Sequence, residues 1–70
     1  MKMASTNIKL ERTRLDATQE EFANLVGVSR RTVIEWEKGR TDNIPASTLL
    51  RMSSICGCSI DYLLGISSSK

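Results

Sequence analysis

The sequence predicts an all-α fold, a compact bundle of five short helices. Apolar residues recur at three- and four-residue spacing along several segments, which gathers them on one face of a helix. The segments are punctuated by start residues (Thr18, Ser29, Ser59) and stop residues (Gly27, Gly39, Gly57, Gly65). No stretch alternates apolar and polar residues with period two for long enough to make a strand.

The first helix is expected from about Thr6 to Leu15, with Ile8 and Leu15 on one face and Arg12 between them on the same side. Residues 1 to 5 and the closing Ser67-Ser68-Ser69-Lys70 read as frayed ends, so the ordered core is about 6–65. The second helix opens at Thr18, with Glu21 at the capping-box position. Phe22, Ala23, Leu25 and Val26 supply its apolar face, and Gly27 ends it in the left-handed conformation glycine favours. Only Gly27 and Val28 separate it from the third helix, which starts at Ser29 and carries Val33 and Trp36 inward until Gly39. So short a connection forces a sharp corner.

Arg40 to Ile44 read as a loop. A fourth helix covers roughly Pro45 to Cys56, its start lying at Asn43, Ile44 or Pro45, with Leu49, Met52 and Ile55 or Cys56 facing the core. Ser59 caps a last helix, Ile60 to Leu64, which Gly65 ends.

Seventy residues allow one domain, 1–70, with little room for both a core and an enclosed catalytic cleft. Hydrophobic residues make up 40% of the chain against three aromatics, so the core is expected to be largely aliphatic. The net charge of +2 is too small to name a partner, so any basic footprint must come from local placement. No apolar run spans a bilayer and no signal segment opens the chain, which implies a cytoplasmic protein with no membrane partner. Cys56 and Cys58 are too close in sequence for an unstrained bridge, and the chain has no histidine. They read as reduced packing residues, with no metal site. Without histidine, paired cleft carboxylates or a glycine-rich phosphate loop, no enzyme is expected, and with it no cofactor and no small-molecule substrate.

The most informative stretch is Gln19 to Lys38, QEEFANLVGVSRRTVIEWEK. Ala23 is small where two helices must cross, Gly27 supplies the tight turn four residues later, and Val28 plugs that turn. Val33 and Trp36 anchor the second of the two helices. On a wheel of 100° per residue, Ser29, Val33, Trp36 and Glu37 share one side of the third helix. Arg31, Glu35 and Lys38 fall opposite, flanked by Arg30, Thr32 and Ile34.

This segment (18–38) resembles the helix-turn-helix of the lambda-repressor/Cro-like (XRE-type) family of phage and bacterial regulators. The likeness extends over roughly Ile8 to Gly65 and includes LLRMSSICGCSIDYLL, where a glycine divides the last two helices. It implies a compact five-helix, lambda-repressor-like DNA-binding domain that generally acts as a dimer. Asp16 and Ala17 stand where the family often has glycine and leucine, and Glu11 where it often has leucine. The loop after Gly39 is longer by about one residue.

The implied function is a sequence-specific double-stranded DNA-binding transcriptional regulator, a phage or bacterial repressor, with helix 29–38 in the major groove. The family's base-reading positions map onto Ser29, Arg30, Arg31 and Glu35, with Thr32 and Lys38 nearer the margin. Arg30 and Arg31 are the first choice, because an arginine fork matches O6 and N7 of guanine. Glu35 can accept from a cytosine amino group or steer Arg31. Thr18, Gln19, Lys38 and Arg40 are expected on phosphate; Gln19 stands where free N–H groups and the helix dipole favour an anion. Arg12 and Glu37 both point inward, where a lone charge is costly, and the family has an arginine–glutamate pair at these positions. They are expected to meet as a structural ion pair.

A palindromic operator read by a weak homodimer, its contact through Ile60 and Tyr62, follows from the same resemblance; Leu10 is another apolar residue left outside by the wheel. The competing reading is an antitoxin-type module that binds a toxin protein and its own promoter.

Overall fold

The computed structural model describes residues 2–70. The chain folds into α1 (Lys2–Arg14), α2 (Gln19–Val26), α3 (Arg30–Glu37), α4 (Ala46–Cys56) and α5 (Ile60–Leu63), with no strand among the described residues. α2 packs on α3 and α4, α1 lies across α3 and α5, and α4 closes on α5. The result measures 27 × 22 × 21 Å.

Local chemistry sets the helix ends. Thr18 Oγ1 accepts from the Glu21 N–H at 3.1 Å while Glu21 Oε1 accepts from the Thr18 N–H at 2.8 Å, a complete capping box. Gly27, at φ +80°, ends α2, and both its N–H and that of Val28 return to the Ala23 carbonyl at 2.9 Å. Ser29 then caps α3 by accepting from the Thr32 N–H at 3.2 Å. The α2–α3 corner is thus tied on both sides of its two-residue turn.

Phe22, Ile8, Met52, Leu63 and Val33 are the largest fully buried side chains, and each comes from a different helix. Burying one such side chain stabilises by about 1.5–3 kcal/mol. Every helix therefore contributes to one shared core, and none is an appendage.

Several expectations are corrected here. α1 begins at Lys2 rather than near Thr6, so residues 2–5 are helical, not frayed; Met1 lies outside the described residues. The inward stripe of α1 is Ala4, Asn7, Ile8 and Glu11, all buried. The helix ends at Arg14, and Leu15, in the turn beyond it, is 38% exposed instead of packing beside Ile8. Asp16 closes the turn at φ +56°, a left-handed conformation that aspartate tolerates better than most residues. Leu25 is 45% exposed, because it lies about 60° from Phe22 on the side away from Val26 and Ala23.

The carboxyl-terminal residues also fold back rather than fray. The Ser59 N–H donates to the Lys70 carbonyl at 2.8 Å, and Lys70 Nζ reaches Glu11 Oε2 at 3.0 Å. Gly65 sits against the start of α1, where a Cβ on it would lie 2.6 Å from Met3 Cβ. Tyr62 is correspondingly buried, only 7% exposed, and donates its hydroxyl to Glu11 at 3.0 Å, which leaves it little surface for the subunit contact expected of it. Ile60 is half-buried and Leu10 is exposed. Cys56 and Cys58 are both free thiols, the second buried.

Candidate functional site

Burial of Val33 and Trp36 fixes the orientation of α3. With those two under the helix, Arg30 and Arg31 emerge exposed on its first turn, and Lys38 emerges at its end. Ile34 and Glu35 lie half-buried between them. The exposed face thus presents two arginines at the amino-terminal end and further cations at the other.

Ser29 and Thr32 stand at the same end but are tied to the helix start. Their hydroxyl oxygens are 2.9 Å apart, and Ser29 Oγ also accepts the Thr32 N–H. Each keeps hydrogen-bonding capacity, since a hydroxyl offers one proton and two lone pairs.

At the far end the chain turns back over α3. The N–H groups of Lys38 and Arg40 both donate to the Glu35 carbonyl, at 3.1 and 3.0 Å, with Gly39 at φ +102° between them. This turn sets the Arg40 guanidinium on the Glu35 carboxylate, and the two form an ion pair. Arg40 remains 70% exposed, Glu35 29%. Glu35 therefore faces Arg40 across one turn of chain, instead of steering Arg31.

A second charged group holds three helices together beneath this face. Arg12 Nε lies 2.7 Å from Glu37 Oε2 and its Nη2 3.2 Å from Oε1, a bidentate pairing. Arg12 Nη1 donates to the Ala17 carbonyl at 2.8 Å, and Gln19 Nε2 donates to Glu37 Oε1 at 3.1 Å. α1, the start of α2 and the end of α3 are thereby fixed relative to one another. Gln19 is half-buried and Thr18 exposed beside it, both next to the amino terminus of α2. The capping box already occupies the amides of Thr18 and Glu21, which leaves a smaller anion cradle there than an uncapped helix would offer.

Two arrangements escaped the sequence reading. Arg51, on α4, donates from Nε to the Leu25 carbonyl at 3.1 Å, placing a cation at the carboxyl end of α2. Glu11, only 3% exposed, accepts from Tyr62 and pairs with Lys70, which also lies 5.6 Å from the Tyr62 ring centroid. Both join residues far apart in the chain, and no local spacing announces them.

Among the described residues no helix is long and apolar enough to cross a membrane, and no group of three or more acidic or cysteine residues is placed to hold a metal ion.

Comparison with known proteins gives one family match, to a model described as helix-turn-helix, over residues 8–63. No curated protein matches the chain. Among solved structures, the chain is similar to the P22 c2 repressor protein crystallised with synthetic operator 9T in the presence of Tl+. The two share 30% identity at a TM-score of 0.82, over 96% of this chain and all of that one. It is also similar to the nuclear magnetic resonance structure of the P22 c2 repressor DNA-binding domain, at 30% identity and a TM-score of 0.75, over 97% of this chain and 91% of that one.

Proposed function

Because the chain belongs to the helix-turn-helix family, we propose that it is a sequence-specific double-stranded DNA-binding repressor whose α3 enters the major groove. The observation that carries this reading is the exposure of Arg30 and Arg31 on the first turn of α3, Arg31 opposite the buried Val33 and Trp36 and Arg30 on the flank. A helix docked by its amino-terminal residues brings those two guanidinium groups to the base edges. Each bidentate pair with guanine is worth about 1–3 kcal/mol of discrimination.

Ser29 and Thr32, at the amino-terminal end of α3, and Glu35, on its outer face, are the further base contacts in this reading, with Thr18, Gln19, Lys38 and Arg40 on phosphate beside them. The similar P22 c2 repressor was crystallised with an operator, which supports the same kind of ligand here. A domain of 27 × 22 × 21 Å spans only a few base pairs, so two copies on a palindrome are the natural reading unit.

Selection of bound sequences from a random duplex pool tests this function. The expected outcome is a short palindrome whose half-site preference changes in Arg31→Ala, while Gln19→Ala weakens all sequences nearly equally. Failure to retain any duplex at about 50 mM salt, or a preference unaltered when Arg30 and Arg31 are both replaced by alanine, overturns it.

A further inference from the structure

Glu35 is a carboxylate on the face proposed to meet a polyanion, and the chain pairs it with Arg40, a cation proposed to meet phosphate. Glu35 is only 29% exposed and anchored within α3; Arg40 sits beyond Gly39 with its side chain 70% exposed, so its guanidinium can leave the carboxylate for solvent or another anion. The pair has a consequence for recognition. While Arg40 rests on Glu35, its charge is cancelled locally, and it contributes little to the release of counterions that drives sequence-blind binding.

We propose that Glu35 and Arg40 form an exchangeable pair that makes one phosphate contact conditional on the base sequence, an inference that rests on the major-groove reading above. On an arbitrary duplex, Arg40 stays on Glu35. Every base pair carries one exocyclic amino group in the major groove, so the sequence decides only where it lies. On a duplex that places it (N4 of cytosine or N6 of adenine) on the strand and at the position Glu35 reaches, where other sequences place a keto oxygen, that amino group donates to the Glu35 carboxylate in place of the guanidinium. Arg40 is then released to a phosphate. One base contact and one phosphate contact form together, and neither forms fully alone. Specificity rises because non-specific duplexes are denied a cation that the right sequence unlocks.

The competing arrangements differ in their salt dependence. If Arg40 were a permanent clamp, its contribution would be the same on every duplex. If Arg40 never left Glu35, it would contribute on none. Only exchange makes the contribution sequence-dependent in the wild type and sequence-independent once the carboxylate is neutralised.

The test measures the slope of log affinity against log salt for the intact chain on its selected duplex and on a random-sequence duplex of equal length. Wild type, Arg40→Ala, Glu35→Gln and the double variant are compared, with helical content checked by circular dichroism. Arg40→Ala is expected to reduce the slope on the selected duplex by about one phosphate, roughly 0.9, and on the random duplex by much less. Glu35→Gln is expected to tighten random-duplex binding by about tenfold at 50 mM salt and to steepen its slope by the same 0.9. In the Glu35→Gln background, Arg40→Ala should then cost the same slope on both duplexes. An equal loss on both duplexes for Arg40→Ala in the wild type, or no loss on either, overturns the exchange while leaving the DNA-binding function standing. A wild type that binds neither duplex at low salt overturns that function itself.

Discussion

The Arg12 guanidinium grips both carboxylate oxygens of Glu37, at 2.7 and 3.2 Å, with the two side chains only 15% and 7% exposed. The pair joins α1 to the carboxyl-terminal end of α3, away from the first turn that carries the exposed arginines. Its geometry satisfies more than the two charges, since Arg12 also reaches the Ala17 carbonyl and Glu37 also accepts from Gln19. The orientation of α3 is therefore set by a charged clasp as well as by Val33 and Trp36.

Removing one member should hurt far more than replacing both. Arg12→Ala leaves the Glu37 carboxylate buried with Gln19 as its remaining partner here, and is expected to cost about 3–5 kcal/mol. For a domain of this size that approaches the whole stability. The Arg12→Met, Glu37→Met double variant should recover most of the loss, because no unpaired charge stays buried. Urea unfolding followed by circular dichroism reads both. A single variant as stable as the wild type would mean the clasp contributes nothing to the fold.

The Glu11 cluster is the second buried charge, and the one tyrosine of the chain reports on it. Burial, then the hydrogen bond to Glu11, pushes the Tyr62 phenol above its ordinary value of 10.0. A phenol raised in the folded state adds stability below about pH 10, and that stability is lost as pH climbs through the folded value. Tyrosinate absorbance should therefore appear above pH 10 in the native protein and near pH 10 in urea. Tyr62→Phe is expected to cost about 1–2 kcal/mol by removing a donor to a buried carboxylate. A native phenol that titrates like the unfolded one would show the hydroxyl to be solvated.

These clusters also mark where the sequence stopped being legible. The caps at Thr18 and Ser29, the turn at Gly27 and the inward face of α3 follow from spacing alone, because each depends on neighbours within four residues. α1 was harder. Its stripe of Ala4, Asn7, Ile8 and Glu11 has perfect helical spacing, yet half of it is polar, so the periodic apolar signal breaks up. Asn7 and Glu11 are buried because Tyr62, more than fifty positions away, accepts from one and donates to the other. The serine-rich end read as frayed for the same reason, its anchors being Ser59 and Glu11. At the candidate site, the position of the arginines was legible, whereas the ion pair of Glu35 with Arg40 depends on the path of the turn at Gly39. That path is a backbone property, and a helical wheel carries no information beyond the helix end.

Gly65 tests how firmly the carboxyl-terminal segment is seated on α1. Its φ of +76° strains any residue with a Cβ, and a Cβ there would also lie 2.6 Å from Met3 Cβ and 3.2 Å from the Ala4 backbone nitrogen. Backbone cannot yield as a side-chain tip can, so relief requires the segment to lift. Gly57 has a similar φ of +65° with nothing within 4 Å of its added Cβ, and isolates the conformational cost. Gly57→Ala is expected to lose about 1–2 kcal/mol, the usual price of a left-handed alanine. Gly65→Ala should lose at least about 1 kcal/mol more, from overpacking, as measured by urea unfolding. Because the Gly65 N–H donates to the Tyr62 carbonyl at 3.0 Å, the extra loss should be accompanied by a lower tyrosinate midpoint in Gly65→Ala but not in Gly57→Ala. Equal losses in the two variants, with unchanged phenol titration, would show that the end of the chain does not press on α1.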